Sequence, residues 1–106
     1  MAPLALNPAA QAFACAYALQ LAQADAGLVH SASATRDGAV GCPTGENLAL
    51  ASGTSASALI TLWYNSAPHM ANIKNAIYHS AGLGFVVRTD ADGSQLIFGS
   101  TVFAIC

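Results

Sequence analysis

An α+β fold is predicted, on three observations. The first two thirds of the chain place apolar residues at helical spacing. The last third switches to runs rich in Phe, Val and Ile, as strands are. A polar segment with a glycine separates two of those runs, as in a hairpin. Helices followed by an antiparallel hairpin indicate α+β rather than alternating α/β. The 106 residues suit one domain, and no linker or internal repeat divides them.

Pro3 to Leu6 reads as a short edge strand. Asn7-Pro8 then opens a helix, because Asn caps well and Pro suits the first helical position. The helix is predicted to run to about Asp25, with Gly27 as its stop. Phe13, Tyr17 and Leu21, with Ala10 and Ala14 between them, form its expected apolar stripe. Ser31 to Thr44 is rich in Ser, Thr, Asp, Gly and Pro without periodicity and is predicted to be a loop. Thr54 or Ser55 caps a second helix whose face carries Ala56, Leu59, Ile60 and Trp63. Pro68 opens a short third helix, to about Asn75. Leu83 to Arg88 and Gln95 to Ile105 form the hairpin, turning through Asp90-Ala91-Asp92-Gly93-Ser94.

Composition removes several function classes. Only 8% of residues are charged, the net charge is −2, and the three cations Arg36, Lys74 and Arg88 are scattered. Nucleic-acid binding needs a clustered basic footprint, so it is excluded. No apolar run is long enough to span a bilayer. The three cysteines, Cys15, Cys42 and Cys106, match no zinc spacing. They leave open one bridge with a spare thiol, or three free thiols.

Four segments, in order, carry a family resemblance: Leu28-Val29-His30-Ser31; Gly45-Glu46-Asn47-Leu48-Ala49; Trp63-Tyr64-Asn65-Ser66-Ala67-Pro68-His69 with Asn72-Ile73; and Gly82-Leu83-Gly84-Phe85. On them the chain resembles the CAP superfamily of cysteine-rich secretory, antigen 5 and pathogenesis-related proteins, in its short bacterial form. The resemblance implies an α-β-α sandwich with a small antiparallel sheet, and a cleft where His30, Glu46 and His69 converge. Two departures stand out. Where longer members carry a second acid, this chain has Asn65-Ser66. The family's usual first helix has no counterpart before Pro3-Leu4, so the single CAP domain is expected to be truncated at its N-terminus. The face which that helix covers is then expected to be bare or to mediate self-association.

The function implied is a secreted binding or interaction module. Its cleft would hold a divalent cation such as zinc, or a small ligand, through His30, His69 and Glu46. One alternative is a metal-dependent peptidase or esterase with the same three residues as ligands and base. Another is a lipid or sterol binder, which requires an apolar tunnel beside the sheet. Glu46 is expected to face the cleft and hold an imidazole tautomer, with Asn47 structural. Trp63 is assigned to the core, and Tyr64 and Ser66 to the ligand-binding rim. A Ser66–His69–Glu46 nucleophilic set is disfavoured, since no Gly-x-Ser-x-Gly elbow exists. His79 is given no role.

Overall fold

The computed structural model describes residues 4–24 and 27–106. In chain order the elements are β1 (Ala5–Leu6), α1 (Pro8–Ala24), α2 (Ser33–Val40), β2 (Thr44–Ser52), α3 (Ala56–Tyr64), α4 (Ala67–Ile73), β3 (Ser80–Thr89) and β4 (Gln95–Ala104). The strands form one sheet in the order β1-β3-β4-β2. β4 pairs antiparallel with both β3 and β2, while β1 runs parallel to β3 at one edge. The sheet is therefore mixed rather than wholly antiparallel.

Asn7 starts α1 as predicted. Its Oδ1 accepts the Ala10 N–H at 3.0 Å, which satisfies one of the helix's unpaired donors. The same residue ties α1 to β3, its backbone N–H donating to the Ala81 carbonyl at 2.9 Å. Ala10, Ala14 and Leu21 of the expected stripe are buried, but its two aromatics are not at the centre of the packed seam. Ala10, Ala14, Ala18 and Ala22 are buried at every fourth position, while Phe13 and Tyr17 are only half-buried. Small residues face the sheet because α1 lies against glycine: a Cβ on Gly82 would stand 2.1 Å from the Gln11 backbone nitrogen, and one on Gly84 2.4 Å from that of Cys15. Both helix and strand have given up side-chain volume to approach closely.

Alternation along β2 builds the two layers. Leu48 packs with Leu21, Ala22 and Phe98 on the α1 side. Ala49 packs with Leu59, Trp63 and Ile97 on the α3 side. The result is an α-β-α sandwich, with α1 on one face of the sheet and α3 on the other. Trp63 is 2% exposed and donates its Nε1 hydrogen to the Leu48 carbonyl at 3.0 Å, so its polar edge is satisfied within the core. The β3–β4 hairpin turns through Asp90 to Ser94, with Gly93 at φ 85°.

Two expectations change. Ser31 to Thr44 is not all loop, because α2 occupies Ser33–Val40. Apolar periodicity did not reveal this helix, since its one buried residue is Arg36 and polar bonds hold it. The third helix is shorter than predicted, ending at Ile73. The predicted start of the edge strand at Pro3 and the predicted helix end at Asp25 lie outside the described residues. Cys42 and Cys106 form a disulfide, leaving Cys15 free and exposed. The bridge ties the end of the chain to the entrance of β2.

Candidate functional site

The site is built where β2 meets the segment between α1 and α2. Glu46 lies on the α1-facing side of β2, and its side chain is only 1% exposed. Its Oε1 accepts the Ser31 backbone N–H at 2.9 Å and lies 2.9 Å from His30 Nδ1. Its Oε2 accepts the Ser31 hydroxyl at 2.6 Å. The Arg36 guanidinium stands 3.4 Å away and donates to the Ser31 hydroxyl at 2.8 Å. Arg36 also donates from Nε to the Thr44 hydroxyl at 2.7 Å, which itself donates to Asp37 at 2.5 Å. A buried carboxylate is thus compensated by a buried cation and by hydrogen bonds, as low-dielectric surroundings require.

The consequence falls on His30, whose side chain is 66% exposed. A carboxylate only accepts, so Nδ1 carries the ring hydrogen in the neutral form and Nε2 keeps its lone pair. The arrangement is an imidazole held from behind by a carboxylate, with one nitrogen available. The Ser31 hydroxyl is engaged within the network, donating to Glu46 and accepting from Arg36.

His30 and Glu46 are brought together as expected, but Glu46 lies beneath the imidazole rather than open to a cleft. Its two oxygens are already engaged. Among the described residues, no three His, Cys, Asp or Glu side chains are grouped to hold a metal ion. The expected three-ligand set of His30, Glu46 and His69 is therefore not formed. Asn47 is structural as predicted: it is fully buried, donates to the His69 carbonyl at 3.1 Å and accepts from Asn72 at 2.8 Å.

No family model matches the chain, and neither does any curated protein. Among solved structures, an outer surface protein from Borrelia burgdorferi is similar in fold. The match has a TM-score of 0.68 at 17% identity and covers 98% of this chain and 78% of that one. The likeness is one of fold.

His69 lies on α4, and its backbone carbonyl is held by the Asn47 side chain. Its Nδ1 is buried without a hydrogen-bond partner. Burial, and after it the charge on His30, holds its pKa below the ordinary imidazole range. An unfolded chain takes up this proton near pH 6.5, whereas the folded chain does so only at lower pH. Above that value neither state is charged at His69, and its contribution to stability is complete. As pH falls from about 6.5 the unfolded state binds more protons, so stability declines. Urea unfolding at successive pH values should show this slope, and the His69→Asn variant should lose part of it. A stability that rose on acidification through this window would contradict the assignment.

Tyr64 and Ser66 are not at the His30 site. Ser66 precedes α4, where its carbonyl accepts the Met70 N–H. Tyr64 lines a separate groove of about 380 Å³ between α3 and the β1 edge, with Leu6, Ile60, Leu83 and Phe103. The groove is almost wholly apolar, and Leu6, Tyr64 and Leu83 expose large surfaces around it. Thr101 also lines it, and its buried hydroxyl lacks a partner. His79 is exposed. Arg36 and Ser31 complete the site that sequence reasoning centred on Glu46. The available signal was Arg36 itself, the only cation in a Ser- and Thr-rich stretch of a chain with three.

Proposed function

We propose that the chain is a secreted binding module of the CAP type, which takes a small uncharged ligand at His30. One observation carries the reading: an enclosed Glu46 orients an exposed His30 through a 2.9 Å contact. A buried carboxylate is costly, and its best-supported use here is to fix that ring. The CAP assignment draws support from the way its segments meet. The His30 and Gly45 to Ala49 segments join through Glu46, and Asn47 joins the latter to Asn72. Secretion draws support from the Cys42–Cys106 bridge, since disulfides persist in oxidising compartments. The fold neighbour is itself an outer surface protein. No described helix is long and apolar enough to cross a membrane.

The hydrolase alternative receives less support. It requires Glu46 to reach a metal or a water, and this side chain is enclosed. The lipid alternative has an observation of its own, the apolar groove with the unpartnered Thr101 hydroxyl on its wall. Self-association would use the same exposed Leu6, Tyr64 and Leu83.

A fragment screen read by amide and imidazole NMR separates these readings. Hits are expected to shift His30, Ser31 and Tyr17 together. Zinc at one equivalent is expected to leave both His30 and His69 rings unmoved, because stable zinc sites use at least three protein ligands. Hits confined to Leu6, Tyr64 and Thr101 would transfer the assignment to the groove. Absence of hits from both regions would contradict a small-ligand function.

A further inference from the structure

A cavity of about 310 Å³ opens beside His30, between α1 and the start of α2. One wall is α1, which contributes Phe13, Tyr17 and Gln20 from a single helical face. The other is formed by His30, Ser31 and Thr35. The Phe13 and Tyr17 rings lie nearly parallel, at 15° with centroids 6.1 Å apart, and both line the cavity. The Tyr17 hydroxyl donates to the Val29 carbonyl, so the polar end of this ring is already engaged. With these rings stand the Gln20 amide, the Thr35 hydroxyl and the His30 imidazole, which together offer both donors and acceptors.

No full charge lines this cavity. The nearest ions, Glu46 and Arg36, are buried and paired with each other. A charged ligand would find no counter-ion among the lining residues. A purely apolar ligand would leave the polar rim unpaired. The chemistry that fits is an uncharged ring with one apolar face and several hydroxyl groups. The polarised C–H bonds of such a face rest on the electron-rich faces of aromatic rings.

We propose that this cavity takes a neutral pyranose sugar, its apolar face against Phe13 and Tyr17 and its hydroxyls bonded to Gln20, Thr35 and His30. The inference rests on the reading of His30 as the binding face and names the ligand class for it. The sugar is free or is the terminal unit of a glycan. A methyl glycoside and an oligosaccharide ending in the same sugar distinguish the two, equal affinity indicating that one ring suffices.

The test is titration of the isotope-labelled full chain with a panel of methyl glycosides of neutral hexoses. Saturable shifts at Gln20, Ser31 and Thr35 are expected in the millimolar range for at least one sugar. Saturation transfer should pass from the Phe13 and Tyr17 rings to that sugar. Phe13→Ala should weaken binding about tenfold through the lost stacking. Gln20→Ala, at an exposed position that does not threaten folding, should weaken it about threefold or more. If no glycoside shifts the cavity while aromatic fragments still bind at His30, the sugar assignment is overturned and the binding face stands. If neither binds, both fall.

Discussion

Replacing Glu46 with alanine is expected to cost about 4 kcal/mol of stability, because it removes one partner of a buried ion pair and leaves the other uncompensated. The stranded partner is Arg36, whose side chain is 8% exposed. Ser31 also loses the acceptor for both its backbone N–H and its hydroxyl. For a domain of this size the midpoint of thermal unfolding should fall by about 15 °C. A double variant, Glu46→Leu with Arg36→Met, should recover much of the loss, since apolar side chains of similar volume often replace buried ion pairs at little cost. Calorimetry on the three proteins checks this. A loss below about 1 kcal/mol in Glu46→Ala would show that the network contributes little, as exposed ion pairs do.

The second large effect is expected at the disulfide. Cys42 and Cys106 are separated by 64 positions, and closing a loop of that length in the unfolded chain corresponds to about 4 kcal/mol in the chain-entropy relation. The Cys42→Ser/Cys106→Ser double variant should lose up to that amount. It should also unfold with a steeper denaturant dependence, because its unfolded state is more open. The folded end of the chain has other ties: Ile105 donates to the Pro43 carbonyl at 3.2 Å, and the Ser80 hydroxyl donates to the Cys106 carbonyl at 2.6 Å. The variant should therefore fold to the same structure with less stability. Equilibrium urea unfolding with Cys15 unchanged checks the prediction. Equal stability with and without the bridge would contradict it.

What the sequence revealed followed from the kind of force involved. The Asn7-Pro8 start and the hairpin turn around Gly93 were legible because local backbone chemistry specifies them. Trp63 was legible because its helical neighbours share its face. Helix α2 was not, since it is held by bonds from Arg36 and Asp37 to residues outside it, which no apolar period records. The alanine seam of α1 was partly hidden for a related reason. Ala10 and Ala14 were read into the stripe beside the bulkier Phe13 and Tyr17, yet the glycines of β3 admit only small residues beneath the helix.

The site was legible in its membership more than in its geometry. His30 and Glu46 were singled out together, and the fold joins them. Their roles differ from those expected, because Glu46 falls on an inward-facing position of β2 and is covered by Ser31 and Arg36. His69 is carried by α4, and among the described residues it completes no group of three ligands with His30 and Glu46.

The central claim is that Glu46 holds His30 in one tautomer with Nε2 exposed. Long-range proton–nitrogen NMR of the imidazole at neutral pH tests it directly. The account predicts that the neutral form of the His30 ring carries its hydrogen on Nδ1 and leaves Nε2 unprotonated, and that the Glu46→Leu/Arg36→Met variant returns averaged shifts. A wild-type ring with its hydrogen on Nε2, or one already averaged between tautomers, would contradict it.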